Sequence, residues 1–439
     1  MLVGPILAIL LGFILWWVLS LAGELRKDSP LPKMIMGGYL LRIGLQFFIR
    51  EIPFFSHGAG GDSYLYEEFG RLMAKLWRAG GIHYITVDDG FNIGATSLPQ
   101  NLFALIIYLN DGEKTRLGCT AVVAFAAALT ALNIYSLALE FGAERKNALL
   151  MAGIIYFEPA FLFYTCDLYK DGLVLCIAFG ALGSALRLSR RPSILHALVG
   201  AVSLYALWYV RFYLIFVTIA PLLVGIAGLG SKKLTRPVIA ALALATAAFA
   251  LASFTDILQL GIEKASDTFA QATSERSIRG NNKGEQGSGV VFDDGGSATG
   301  LLPLKLAYTI FSPFPWAGGS LGFQFGKIDG FIFYFIIYRA IRALRTADRR
   351  LVVMLFTFIV PSTLMYAMTM ANVGLIVRQR LIIVASLSIL AALYTPKKVE
   401  KAAELEGPKQ ERLKAGRRRP ATAAAARIRA LRDQRAKSS

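Results

Sequence analysis

The chain has 439 residues, 55% of them hydrophobic and only 17% charged, with a mean hydropathy of +0.53. That balance excludes an ordinary soluble domain and places the chain in the membrane class. The formal charge of +18 points to anionic partners. Apolar runs of about the 20 residues needed to span a bilayer fall at roughly 2–22, 34–52, 117–139, 148–166, 171–187, 194–210, 212–229, 238–257, 328–345, 351–370 and 375–394. They predict an all-α polytopic membrane protein with about eleven transmembrane helices. The first run is followed, not preceded, by Arg26 and Lys27, which reads as an N-terminal anchor rather than a cleaved signal peptide. Arg42 lies inside the second run, where a charge costs about 2.5–3.5 kcal/mol on insertion scales and must face protein or water.

Basic residues mark alternate connections: Arg26, Lys27 and Lys33; Arg145 and Lys146; Arg187, Arg190 and Arg191; Lys232, Lys233 and Arg236; Arg342, Arg345, Arg349 and Arg350. The positive-inside rule puts these five in the cytoplasm, the N-terminus outside and the C-terminus inside. The chain then divides into N-terminal transmembrane helices over 1–52, an extracytoplasmic loop over 53–116, transmembrane helices over 117–257, a second extracytoplasmic loop over 258–327, C-terminal transmembrane helices over 328–396 and a basic cytoplasmic tail over 397–439.

The first long loop opens on Gly61-Asp62-Ser63-Tyr64-Leu65-Tyr66-Glu67-Glu68, a carboxylate placed where a membrane enzyme would hold a general base at the water boundary. Asp62 also precedes an amphipathic run in the manner of a helix N-cap, although Leu65 stands where a capping box needs Glu or Gln. Leu65, Phe69, Leu72 and Leu76 recur at helical spacing, with charges on the other faces, which predicts an interfacial helix. A second short apolar piece at 98–109 completes an extracytoplasmic cap of amphipathic helices.

Glu158-Pro159 and the run from Tyr164 to Asp171 form an outward turn carrying Asp167, Lys170 and Asp171. Charges at membrane depth need a partner or a water-filled cavity. Two readings remain open at this point: a self-neutralising ion pair, or a site in which Lys170 holds a phosphate as a point charge. Arg211, Arg378 and Arg380 are the other outward cations. They fit snorkelling to headgroups and also fit bidentate binding of a phosphate or pyrophosphate. In the second loop, 274–300 is rich in Gly, Ser, Asn and Asp and cannot bury enough apolar surface to order itself without a ligand. Phe311-Ser312-Pro313-Phe314-Pro315-Trp316 then restores aromatic rings suited to the membrane interface.

The tail from Lys397 carries a net +9 of the total charge, a solvated segment that meets anionic lipid headgroups. It lacks aromatics for base stacking and a folded binding motif, so it does not read as a nucleic-acid partner. Cys119, Cys166 and Cys176 lie in or beside apolar segments and imply no disulfide framework. His57, His83 and His196 lack zinc-ligand spacing, so no metal is expected. There is no Walker-type glycine loop and no His-centred triad.

Gly61-Asp62-Ser63-x-x-Tyr66, Pro159 with Lys170-Asp171, and Arg378-Gln379-Arg380 together resemble motifs of the multi-spanning glycosyltransferases of the C superfamily, the group of protein mannosyltransferase-like and aminoarabinose transferase-like enzymes. The likeness in architecture covers roughly 34–394. The chain departs from the pattern by an extra helix before the acidic loop, by Ser63 where a second acidic residue often stands, and by lacking a large C-terminal periplasmic domain. The resemblance implies an inner-membrane enzyme of cell-envelope polysaccharide or glycolipid biosynthesis. Its substrates would be a polyprenyl-phosphate-linked sugar donor and a glycan or lipid acceptor; the resemblance fixes no cofactor beyond that donor. Asp62 would be catalytic, Lys170, Arg211, Arg378 and Arg380 would bind the phosphate, and Tyr66, Asp167 and Asp171 would support them. The rival readings are a polymerase or ligase of lipid-linked repeat units, and a non-enzymatic glycan transporter or scaffold. A transporter would need polar residues lining a path through mid-membrane, and the spans offer few.

Overall fold

The computed structural model describes residues 2–21, 29–51, 60–86, 89–91, 97–191, 193–211, 214–226, 301–318, 321–369 and 373–396. The apolar run at 238–257, the polar segment 274–300 and the tail 397–439 lie outside the described residues. Of the described residues 79% are helical, with no strand among them. In chain order the helices are α1 (Val3–Leu21), α2 (Leu31–Leu45), α3 (Gly60–Gly80), α4 (Ser97–Leu109), α5 (Arg116–Glu140), α6 (Arg145–Tyr156), α7 (Pro159–Phe163), α8 (Asp171–Leu188), α9 (Ile194–Val210), α10 (Leu214–Ile226), α11 (Leu302–Phe311), α12 (Leu321–Ala343), α13 (Arg349–Thr369) and α14 (Val373–Ala392).

Among the described residues four helices are long and apolar enough to cross a membrane: α1, α5, α8 and Arg349–Met368 of α13. Large apolar side chains stay exposed along single stripes, Ile6, Ile9, Phe13 and Trp17 on α1, Leu198, Val202 and Tyr205 on α9, and Phe331, Phe335, Tyr338 and Ile341 on α12. Contiguous apolar surface of this extent is a membrane face, since water-soluble monomers do not leave it uncovered. Hydrocarbon supplies no hydrophobic driving force between helices, so they are held by close packing and polar links. Small residues provide the packing: Ala124, Ala127, Ala128, Ala131 and Ala138 of α5 are buried. A Cβ on Gly38 of α2 would sit 2.1 Å from the Tyr156 ring of α6, so only glycine permits that crossing.

Two expected spans are broken. The run 34–52 is helical only to Leu45 and continues as turns to Glu51. The run 148–166 becomes α6 and the five-residue α7, separated by Phe157-Glu158-Pro159, because proline has no N–H for the helix ladder and its ring clashes with the preceding turn. Both breaks lie beside Arg42, which is fully buried. Its Nε donates to Thr165 Oγ1 at 2.6 Å and its Nη2 to the Tyr156 carbonyl at 2.6 Å, while the Tyr156 ring centroid lies 4.2 Å away. The expectation that Arg42 faces protein therefore holds, and the charge is satisfied by groups freed at the helix breaks.

α5 and α8 run parallel, because α6 carries the chain back between them. Their C-terminal ends are tied by Arg187 Nη2 to Glu140 at 2.9 Å. At this same end Arg350 donates to the Ser189 carbonyl at 2.5 Å and Arg339 to Asn147 Oδ1 at 3.0 Å. The basic connections around 145, 187–191 and 339–350 therefore gather at one end of the bundle, and the N-termini of α5 and α8 define the other.

α3 and α4 form a pair at that second end. α3 buries Tyr66, Met73, Ala74 and Trp77, with Met73, Trp77 and Ala74 packed among Phe103, Ala104, Ile106 and Ile107 of α4. Of the stripe read from the sequence, Leu65, Leu72 and Leu76 remain exposed and Phe69 is half-buried. The helix thus has two apolar faces, one packed on α4 and one uncovered.

Candidate functional site

α3 begins two residues before Asp62, which places Asp62 in the first helical turn rather than at the N-cap. A carboxylate there is favoured by the exposed N–H groups of the helix start. Its main partner is distant in sequence: Arg378 Nη1 of α14 donates to Asp62 Oδ2 at 2.5 Å. The rest of the Arg378 guanidinium is bound to Asp171, the first residue of α8, with Nε and Nη2 each 2.7 Å from Oδ2. Asp171 Oδ1 accepts from Arg211 Nη2 at 3.2 Å. Arg211 caps the C-terminus of α9, where the helix presents unpaired carbonyls and a cation is favoured. The Arg378 guanidinium also lies over two rings, 5.1 Å from the Tyr164 centroid and 5.4 Å from that of Tyr169, within the range of cation–π attraction.

The ion pairs of the turn thus run to arginines from other elements, and the self-neutralising reading of Asp167, Lys170 and Asp171 does not hold. Lys170 precedes Asp171 and lies within electrostatic reach of Arg211, Asp171, Arg378 and Asp62. Burial first, and then the neighbouring Arg211 guanidinium, push its ammonium down to about 7. Tyr66, one helical turn after Asp62, is buried, and loss of water around its hydroxyl pushes the phenol above its ordinary range. Asp62, Tyr66, Lys170, Asp171, Arg211 and Arg378, brought by α3, α8, α9 and α14, therefore form one charged cluster.

A second arginine repeats the connection. Arg50, in the turns that follow α2, donates Nη1 to Glu67 at 2.6 Å and spans Asp167 with Nε at 2.8 Å and Nη2 at 2.9 Å. Its guanidinium lies 4.2 Å from the centroid of the Tyr64 ring. Glu67 is five residues beyond Asp62 on α3, and Asp167 is four residues before Asp171. Arg50 and Arg378 therefore each join α3 to the 164–171 turn, side by side. Asp167 belongs to this support rather than to the cluster around Asp62.

Arg380 does not join them. Residues two apart on a helix point to nearly opposite sides, and Arg380 is buried with Nη1 donating to the carbonyls of Ile310, at 3.2 Å, and Ser312, at 2.5 Å. Its neighbourhood contains Glu158 and Asp329, the latter accepting the Ala160 N–H at 2.9 Å at the start of α7. Arg50 and Glu67 are the site residues that reading the sequence did not single out. Among the described residues no three His, Cys, Asp or Glu side chains are grouped to hold a metal ion.

Chemically, the cluster offers one carboxylate open to water, Asp62 at 44% side-chain exposure, beside three cationic side chains arranged about a buried anion. Guanidinium and ammonium donors pair with tetrahedral anions, and a carboxylate open to water can accept a proton. Compared with models of protein families, with curated proteins and with solved structures, the chain gives no match.

Proposed function

We propose that the protein is an inner-membrane glycosyltransferase of the C-superfamily type, transferring a sugar from a polyprenyl-phosphate donor to a glycan or lipid acceptor on the extracytoplasmic face. In this reading about eleven helices span the membrane with the N-terminus outside, and α3 and α4 form a cap whose exposed Leu65, Leu72 and Leu76 lie in the interface. The observation that carries the proposal is the convergence of Asp62 with Lys170, Arg211 and Arg378 from four separate helices or their ends. Asp62 takes the proton of the acceptor hydroxyl, the hydroxyl oxygen attacks the anomeric carbon, and the bond from that carbon to the phosphate oxygen breaks. The electron pair leaves on the phosphate, where the cations stabilise it more strongly than in the donor.

A polymerase or ligase that joins lipid-linked repeats is the second reading. It is favoured by the Arg378–Asp62 ion pair, which leaves guanidinium groups at the centre rather than a carboxylate without a partner. A panel of polyprenyl-phosphate monosaccharides and polyprenyl-pyrophosphate oligosaccharides, assayed with the purified full chain, separates the two. For the transferase reading, Asp62→Asn lowers turnover about 10²- to 10⁴-fold at normal expression. Full activity in that variant overturns the mechanism.

A further inference from the structure

The two arginines that join α3 to the 164–171 turn differ in one respect. Arg50 is enclosed with both its carboxylates: the Arg50, Glu67 and Asp167 side chains are 10%, 9% and 4% exposed. Arg378 is equally enclosed, and so is Asp171 at 1%, but Asp62 is 44% exposed. One edge of the Arg378 guanidinium is thus held at Asp171 by a hydrogen bond from Nε and an ion contact from Nη2, and its plane is held by the rings of Tyr164 and Tyr169. Among the described residues, the other edge, Nη1, is bound by the Asp62 carboxylate at the water boundary. A half-exposed ion pair contributes little to stability, whereas the enclosed contacts to Asp171 leave a buried charge if broken. Any anion that reaches Nη1 therefore displaces Asp62 and not Asp171, and because Arg50 keeps α3 docked, Asp62 can turn away without α3 leaving.

We propose that Arg378 is a latch on Asp62, and that the phosphate or pyrophosphate group of the ligand releases it by taking Nη1. The inference rests on the proposed function for its meaning. With the latch closed, Asp62 Oδ2 accepts a guanidinium hydrogen, and the paired charge makes the carboxylate a weaker proton acceptor; with the phosphate seated, that contact is lost and the carboxylate becomes a stronger one beside it. The site thereby arms its proton acceptor only when the leaving group is already held.

The latch makes a prediction opposite in sign to that of a positioning contact. If Asp62 competes with the anion for Arg378, removing its charge tightens anion binding; if Asp62 serves to hold Arg378 in place, removing it loosens binding. The test is titration calorimetry of inorganic pyrophosphate, and separately of farnesyl phosphate, on the detergent-solubilised full chain. Asp62→Asn should bind each roughly two- to fivefold more tightly than the wild type, the size expected when a half-exposed competing carboxylate is lost. In the Arg378→Gln background the same change should shift affinity by less than about twofold, since the shared partner is gone. Equal or weaker binding by Asp62→Asn overturns the latch, as does a gain that survives undiminished with Arg378→Gln. Asp62 is half exposed and Asn preserves its size, so the variant folds. Failure of the transferase reading is seen separately, as absence of sugar transfer by the wild type, and leaves the binding result standing.

Discussion

Replacing Arg50 by alanine removes the guanidinium that lies between Glu67 and Asp167 and leaves both carboxylates buried without their counter-charge. Arg50 meets Asp167 through two nitrogens and Glu67 through a third, and all three side chains are enclosed. Breaking a buried pair by removal of one partner costs about 3–5 kcal/mol, because the charge left behind is neither hydrated nor matched. Thermal unfolding of the full chain in detergent, followed by tryptophan fluorescence, should therefore show a clear fall in midpoint for Arg50→Ala. Arg50→Lys should fall between the two, since an ammonium keeps the charge but cannot span Asp167 with a fork. The triple variant Arg50→Met, Glu67→Gln, Asp167→Asn should recover most of the loss, because removing all the charges together avoids the orphaned carboxylates. The loss should also reach the site, since α3 and the turn that carry Asp62 and Asp171 are no longer held in register, and pyrophosphate affinity should weaken in Arg50→Ala. An unchanged midpoint in Arg50→Ala, or a triple variant no better than the single one, would refute this account of the clamp.

Lys170 loses its proton near pH 7, so it attracts an anion below that value and not above it; sulfate, which does not titrate in this range, should bind roughly three- to tenfold more weakly at pH 8 than at pH 6 by calorimetry, and Lys170→Arg should flatten the dependence. Arg380→Gln removes charged donors to the carbonyls of Ile310 and Ser312 and should lower stability by about 1.5–3 kcal/mol in denaturation measurements without changing pyrophosphate affinity. Gly38→Ala forces a methyl into the Tyr156 ring and should cost about 1–3 kcal/mol by the same measurement. Cysteine probes at Ser288 and Lys409 test the orientation: reagent added outside should label the first and not the second.

Much of the helical layout was legible because membrane helices announce themselves by uninterrupted apolar runs: α9 occupies 194–210, as expected, and α4 lies within a residue of 98–109. Apolarity alone could not place the breaks after Leu45 and Tyr156, since a run shows composition and not continuity of hydrogen bonding, although Pro159 marked the second. The cluster was legible for a physical reason, that Asp171, Arg211 and Arg378 in apolar surroundings each demand a partner. Which partner each takes was not, because the contacts join residues far apart in the chain. Arg50 was hidden at the end of the run 34–52, where an arginine most often reaches for headgroups, and Glu67 was hidden on α3 among charges that read as a solvated face. Arg380 was misplaced by adjacency: two arginines one residue apart look like a pair in sequence, but the helix turns them to different sides.

The Arg378–Asp62 contact joins residues 316 positions apart, and the Arg378–Asp171 contact residues 207 apart. Ribosomes deliver the chain from the N-terminus, so Asp62 and Asp171 enter the membrane long before the arginine that joins them. During that interval Asp171 has only Arg211, which follows it by 40 positions, and Asp62 has no claim on any guanidinium from α14. The helix that closes the site is thus made after the other described helices, and it settles against α5, α6, α12 and α13, which are already in place. A nascent chain consequently carries no assembled charge cluster until α14 is made, and a chain that ends before Arg378 leaves Asp171 one guanidinium, that of Arg211, where the folded protein supplies two.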